Sequence, residues 1–325
     1  MAGGRDRPEA ELNGVRYRCL GHSGLRVSVL GLGCSHLGTR LDATGTERLV
    51  RAAVHAGVVL FDTADVYGKG ASEEALGRAL TGLRDEVVIA TKGRWAVGRG
   101  PNHRGASRIH LRRAVEASLR RLGTDHIDLY QIHAPDPNTP IEETVEAIDE
   151  LVRSGKIRYA GTSNFAGWQL VDAHWHAHSS RRTRLVSTQA PYNLLDHTVE
   201  RDVLPAAQHC RLGFIACLVL ARGFLAAGPD TARDPATLTA KQRAYLTEEN
   251  ILRRSVLARF AAERGLSPAD VALAAIVDRP GVSAVLAGAS DPQQLAANVA
   301  AVGQGLSAAD AALLRADLAA VSLPG

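Results

Sequence analysis

Four side chains have the types and spacing to deliver a proton to a developing oxygen anion: Asp62, Tyr67, Lys92 and His133. Tyr67 follows Asp62 by five positions, so its hydroxyl can reach back over the place where Asp62 sits. An unperturbed phenol titrates near ~10 and is a poor acid unless a neighbouring cation stabilises its phenolate and lowers that pKa. Lys92 is such a cation, Asp62 can hold its ammonium, and His133 can hydrogen-bond a substrate oxygen and orient it. Lysine is scarce in this chain, four of 38 basic residues. Arginine cannot easily give up its charge, so the choice of lysine at 92 favours a specific role. Together the four suit protonation of the oxygen formed when hydride reaches a carbonyl carbon.

Short β-branched or aliphatic runs must position these residues. They fall at Val29–Gly33, Val58–Asp62, Val87–Thr91, Ile127–Gln131, Ile157–Gly161, Leu185–Gln189, Gly213–Leu218 and Ser283–Ala287. Segments with helical spacing lie between them, such as Thr46–Ala56, Ser72–Leu80, Ser107–Leu122, Ile141–Arg153 and Val256–Arg264. Ser72-Glu73-Glu74 and Asp291-Pro292 have the composition of helix starts. Even alternation predicts a parallel sheet with right-handed crossovers, and with no switch to a second domain we expect an α/β (β/α)8 TIM barrel. Ahead of it, Val15 to Leu30 predicts a hairpin turning at His22-Ser23-Gly24. Residues 1–14 are expected to be a disordered tail, 15–325 a single domain, and Gly228 to Asn250 a mobile loop with some helix.

Such a barrel builds its active site at the C-terminal ends of the strands, and polar residues follow the runs there. The second run ends in Phe61-Asp62-Thr63, the third in Thr91-Lys92 and the fourth in Gln131-Ile132-His133. The fifth ends in Gly161-Thr162-Ser163-Asn164, the sixth in Ser187-Thr188-Gln189, and the eighth runs into Gly288-Ala289-Ser290. Any one alone reads as a helix cap or a packing residue; six on one rim do not. Gly31-Leu32-Gly33-Cys34-Ser35-His36 begins like a dinucleotide fingerprint, but His36 stands where the third glycine belongs. The turn Gly288-Ala289-Ser290-Asp291-Pro292 is the better anion site, because it opens a helix whose amides can cradle phosphate. Gln294 and Asn298 are spaced to share a face there.

Composition excludes other classes. With 46% hydrophobic and 22% charged residues over 325 positions the chain is that of a globular enzyme. Its net charge of +4 is scattered, and 4% aromatic residues leave no basic, aromatic-interleaved stripe for nucleic acid. No apolar run is long enough to span a bilayer, the start lacks a signal-peptide core, and four cysteines without CxxC spacing suit a reducing, cytoplasmic setting.

Seven stretches carry a family resemblance: LGHSGLRVSVLGLG, FDTADVYG, IATKG, SLRRLGTDHIDLYQIHAPD, GKIRYAGTSNF, TQAPYNLLD and AGASDPQQLAAN. Through them the chain resembles the aldo-keto reductases, most of all the branch of the voltage-gated potassium-channel β subunits and their bacterial relatives. The resemblance runs from about Tyr17 to Ala301. It implies a barrel with a hairpin closing its bottom, NADPH extended across the strand ends, and reduction of an aldehyde or ketone. Tyr67 would be the proton donor, Lys92 and Asp62 its tuning pair, and His133 the orienting group. Ser163, Asn164 and Gln189 would bind the nicotinamide carboxamide. Ser290, Gln294 and Asn298 would take the adenosine end and 2′-phosphate, with Gly288 giving the close approach. The branch also implies a homo-oligomer, a tetramer or octamer.

Two departures stand out. Relatives often have an aromatic-Ser-Pro-Leu run after the seventh strand, whose ring stacks on the nicotinamide. Here Cys217-Leu218-Val219-Leu220-Ala221-Arg222-Gly223 keeps Leu220 and Arg222 without the ring, so looser seating, or compensation by Tyr192 or Trp95 in the substrate pocket, is expected. Ser290 stands where many relatives carry Arg; the Ser-x3-Gln-x3-Asn spacing follows the channel-subunit branch and still favours NADPH over NADH. The loop from Trp95 to Arg104, with Arg94 before it, is basic and hints at an acidic or highly oxygenated substrate. The arginine bias marks a GC-rich genome, and with carbonyl chemistry it suggests a ketoreductase tailoring a polyketide or deoxysugar. Two other functions remain open: an NADPH-holding regulatory subunit with vestigial turnover, and a Schiff-base aldolase using Lys92.

Overall fold

A computed structural model describes residues 10–12, 14–226 and 238–321. A three-stranded antiparallel sheet comes first: β1 (Ala10–Leu12), β2 (Val15–Cys19) and β3 (Arg26–Ser28). Eight parallel strands follow and close on themselves: β4 (Leu30–Gly33), β5 (Leu60–Asp62), β6 (Val88–Gly93), β7 (Ile127–Ile132), β8 (Ile157–Ser163), β9 (Ser187–Pro191), β10 (Gly213–Cys217) and β11 (Val282–Ala287). β11 pairs with β4 through Val285↔Leu30 to complete the ring. The helices are α1 (Ala43–His55), α2 (Ala71–Ala79), α3 (Arg108–Leu122), α4 (Ile141–Arg153), α5 (Gly167–Ser179), α6 (Val203–His209), α7 (Ala240–Arg243), α8 (Glu248–Ala262), α9 (Pro268–Val277), α10 (Pro292–Gln304) and α11 (Ala308–Ala319).

Burial on both faces explains why the strands read as near-continuous apolar runs rather than alternating ones. One set of side chains, including Leu60, Ala90, Leu129, Val186, Ile215, Ala284 and Leu286, fills the barrel interior. The other set packs outward against the helices. α4 covers the barrel with one face, burying Val145, Ile148 and Leu151; Glu142 and Glu150 are exposed, whereas Asp149 is buried. α9 is apolar from Val271 to Val277 because it is enclosed by α8, α10 and β11. Its start is set by Ser267 and Asp270, each accepting the other's backbone N–H.

The β2–β3 hairpin plugs the N-terminal end of the barrel. Leu20 and Val27 join the interior cluster, and Arg18 donates to the carbonyls of Val277 and Val282. At the hairpin turn Gly21 has φ +59°, and a Cβ there would lie 2.4 Å from the Val186 carbonyl oxygen. Only glycine lets the plug seat this deeply.

Local boundaries differ from the sequence reading where backbone conformation intervenes. Leu218 was expected in the seventh barrel strand, but its φ of +54° ends β10 at Cys217. The helix expected from Val256 begins at Glu248, where Thr247 caps it by accepting the Asn250 N–H. Within the stretch expected to be a mobile loop with some helix, the helix falls at 240–243 and 248–250, and 227–237 lie outside the described residues. Ser72 does not cap α2; it is buried and donates to the Cys34 carbonyl. The supposed tail includes a strand, since Ala10–Leu12 pair with Val15–Tyr17 across a tight turn at Gly14, φ +79°. The Asn13-Gly14 dipeptide was the signal for it. Residues 1–9 and 13 lie outside the described residues.

Candidate active site

The C-terminal strand ends bring the four expected residues together. Lys92, at the end of β6, is fully buried and donates to Asp62 Oδ1 at 2.6 Å and to the Thr63 carbonyl at 2.8 Å. Its ammonium stands 5.3 Å from the centre of the Tyr67 ring. His133, just past β7, meets the same ring edge-on, with centroids 5.9 Å apart. Trp95 meets His133 in turn at 6.1 Å.

A residue named from sequence only as part of a polar strand end, with no role assigned, completes the shell. Gln131 donates to Asp62 Oδ2 at 3.4 Å, while Gln189 reaches the same oxygen at 2.9 Å. Period-2 alternation was the available signal: Gln131 lies two positions before His133, and its Cα pairs with Lys92 across β6–β7. The Asp62 carboxylate thus faces one ammonium and two amides, and the ion pair needs no solvent.

Electrostatics differ from the expectation for Tyr67. Burial pushes its hydroxyl up; Lys92 pulls it down, but Asp62 and Cys217 add to the rise. The net effect is a phenol above its ordinary value, because desolvation outweighs the cation. Tyr67 therefore holds its proton firmly and is a donor, not a phenolate. Burial works to lower Lys92, yet Asp62 and Tyr67 more than offset it and raise its pKa. A Schiff-base lysine must shed its proton to attack, and a permanently charged, ion-paired Lys92 is the wrong group for that. His133 is depressed to about 3 by burial, then by Lys92 and Arg94. It is a neutral hydrogen-bonding ring.

The expected carboxamide residues share one place. Ser163 ends β8, Gln189 lies in β9, and the Asn164 N–H donates to the Gln189 carbonyl at 2.8 Å. The Asn164 side chain donates to Ser163 Oγ and to the His133 carbonyl, both at 2.9 Å, from a left-handed backbone of φ +58°. A hydroxyl and two amides supply the donors and acceptors that a carboxamide needs, and the buried Gln131 Oε1 beside them has no partner. The donor set fits a nicotinamide.

Across the rim, Asp291 caps α10 by accepting the Gln294 N–H at 2.9 Å. Gln294 in turn accepts the Ser290 N–H at 2.7 Å, and Ser290 Oγ donates to Asp291. Asn298 is buried and holds the turn through the Gly288 carbonyl at 3.4 Å. A Cβ on Gly288 would meet the His36 ring at 3.4 Å, and His36 bonds the Ala289 carbonyl at 2.7 Å. The failed fingerprint thus supports this turn. Ser290 and Gln294 are exposed, so these self-capping contacts can be exchanged for a phosphate.

At the end of β10, Cys217 is close enough to Tyr67 to add to the rise of its pKa, and burial and then Asp62 push its own thiol up to about 12. Leu220 is half-buried and Arg222 exposed in a kinked turn with φ +58° at Arg222. Tyr192 is not at the mouth, contrary to expectation. It is 1% exposed, its hydroxyl donates to Glu200, and its ring packs on Phe214 and His197 outside the barrel. Its side chain falls on the outward pleat, so Trp95, 43% exposed beside His133, is the aromatic available at the mouth. No group of His, Cys, Asp and Glu suited to a metal occurs among the described residues. None of their helices is long and apolar enough to cross a membrane.

Residues 29–317 match the aldo/keto reductase family. The chain is 41% identical over 299 residues to "Uncharacterized oxidoreductase YrpG" of Bacillus subtilis, covering 89% of this chain and 91% of that one. It is 35% identical over 300 residues to a "Probable voltage-gated potassium channel subunit beta" of Oryza sativa, covering 89% and 91%. Against "L-glyceraldehyde 3-phosphate reductase" of Escherichia coli O157:H7 it is 34% identical over 307 residues, covering 89% and 88%.

Proposed function

Because the chain belongs to the aldo/keto reductase family, we propose that it is a cytoplasmic, NADPH-dependent reductase of aldehydes or ketones with Tyr67 as proton donor. The observation that carries this reading is the Asp62–Lys92–Tyr67 line closed by a neutral His133. A reduced nicotinamide, when bound, supplies the hydride. Ser163, Asn164 and Gln189 would hold its carboxamide, and Gly288, Ser290, Gln294 and Asn298 its phosphate and adenosine end. Cys217, Leu220 and Arg222 would form its far wall. His133 donates a hydrogen bond to the carbonyl oxygen and aims it at Tyr67. The Tyr67 hydroxyl gives its proton to that oxygen as charge develops, and Lys92 stabilises the phenolate left behind. Asp62 keeps Lys92 charged and in place throughout.

NADPH oxidation with a panel of aldehydes and ketones tests the reading. General-acid catalysis contributes about 10²–10⁴ in rate, so Tyr67→Phe should lose that much turnover while NADPH still binds. Full activity in Tyr67→Phe would overturn the assignment; tight NADPH binding without turnover of any carbonyl would favour the regulatory subunit. A ketoreductase tailoring a polyketide or deoxysugar would show itself by preferring ketones to aldehydes in the same panel. A homo-oligomer, tetramer or octamer, is the assembly we propose, supported by the exposed stripe of Trp168, Val171 and Trp175 on α5. Light scattering reads its size.

A further inference from the structure

Arg94 immediately follows β6, two positions past Lys92, and three observations distinguish it from the other arginines of its loop. Its backbone has φ 151°, in the region that favours glycine. The loop holds it there: its carbonyl accepts the Gly105 N–H at 2.7 Å, closing the base of the 94–105 segment. Next, this backbone folds the guanidinium over the ring of its own neighbour Trp95, 4.4 Å from the centroid. Trp95 is the ring that meets His133, so the cation stands at the mouth, close enough to help depress His133. Finally, the guanidinium has no ion-pair partner among the described residues, and its Nε is buried without a hydrogen bond. Asp136, whose pKa Arg94 helps to lower without forming an ion pair, spends its oxygens on the Ala106 and Asn138 N–H groups and on Thr139. By contrast, Arg99 and Arg104 are exposed farther along the loop.

Strained backbone at a mouth persists where the surroundings over-determine it, and an unpaired planar guanidinium is suited to a carboxylate or phosphate. We propose that Arg94, stacked on Trp95, is a specificity-determining residue that recognises an anionic group on the carbonyl substrate. The substrate class is then an aldehyde or ketone bearing a carboxylate or a phosphate, with its carbonyl oxygen at Tyr67 and His133. This rests on the reductase reading above.

Matched pairs test it: 4-carboxybenzaldehyde against methyl 4-formylbenzoate, and glyceraldehyde 3-phosphate against glyceraldehyde, in NADPH oxidation. The wild type should favour at least one anion over its neutral partner in kcat/KM by about tenfold or more, the size of one charge-assisted hydrogen bond. The pair that shows the preference identifies the anion. Arg94→Gln, and Arg94→Gly, which also suits φ 151°, should each collapse that ratio toward one, whereas Arg99→Gln should leave it unchanged. No preference in the wild type, an equal fall for both members of a pair, or an equal effect of Arg99→Gln would overturn the proposal. Binding of 4-carboxybenzaldehyde and of glyceraldehyde 3-phosphate, each read as quenching of Trp95 fluorescence with Trp95→Phe as control, needs no turnover. Binding of either that weakens about tenfold in Arg94→Gln upholds the anion site even if no carbonyl is reduced, and binding of both unchanged in that variant sinks it.

Discussion

Lys92 Nζ lies 2.6 Å from Asp62 Oδ1, and the two side chains are 0% and 6% exposed. The other hydrogen-bond partners of this pair are also internal, the Thr63 carbonyl for Lys92 and Gln131 and Gln189 for Asp62, and the Tyr67 ring lies 5.3 Å from the ammonium. Breaking a buried pair from one side leaves an uncompensated charge and costs about 3–5 kcal/mol. Lys92→Met should lose that much stability in urea denaturation, besides its activity. The double variant Asp62→Asn/Lys92→Met should recover most of the stability and none of the turnover. If Lys92→Met unfolds like the wild type, the pair is not desolvated as described.

His133 should not titrate in the working range. Its pKa is about 3 in the folded protein and 6.5 when free. The neutral form therefore contributes stability that is present above pH 6.5 and is lost as pH falls toward 3. Between pH 5 and 8 kcat/KM should carry no histidine limb, and the His133 ring resonances should not shift. A limb near pH 6.5 that vanishes in His133→Gln would contradict the buried, neutral ring.

Cys217→Tyr should tighten NADPH binding. The thiol stands beside Tyr67 where an aromatic ring would offer a stacking face, and a stacked pair is worth about 0.5–1.5 kcal/mol beyond its area. Fluorescence titration with NADPH should show Kd falling roughly three- to tenfold. Unchanged affinity would mean that Trp95 or the backbone already supplies the far wall.

Asp65 is 2% exposed, and neither of its carboxylate oxygens has a partner. Burial first, and Glu73 second, raise its pKa from 3.8 to about 7. Below pH 3.8 the carboxyl is neutral in both states and costs nothing. Through the interval up to 7 the unfolded chain releases a proton that the native state keeps, so stability falls as pH rises. Asp65→Asn should thus gain nothing at pH 4 and roughly 4 kcal/mol above pH 7. Urea denaturation of both proteins at pH 4, 6 and 8 checks the trend; a gain independent of pH would mean that the carboxyl stays ionised.

Much of the architecture was legible because it is local. Strand runs buried on two faces leave apolar stretches such as Phe214-Ile215-Ala216, and polar residues stand at the C-terminal ends of most of them. Residues 141–153 were read as a helix to the residue, since their apolar spacing and acidic first turn agree. Less was legible where the signal was weak or conformational. α8 begins eight residues before its expected start because its exposed first half lacks an apolar stripe. Leu218 ends its strand through a left-handed backbone that no leucine announces.

The sequence by itself determined the alternation of strands and helices, and it placed Asp62, Lys92, His133 and Gln189 at strand ends, because period and punctuation are properties of neighbouring residues. Only the tertiary structure decided what those residues do to one another. Gln189 meets Asp62 across 127 positions, Tyr192 turns outward to Glu200, and Arg94 makes no ion pair among the described residues. The direction of the Tyr67 shift belongs to the same category. Lys92 alone would lower it, but burial is set by every element closed around the ring, and burial wins.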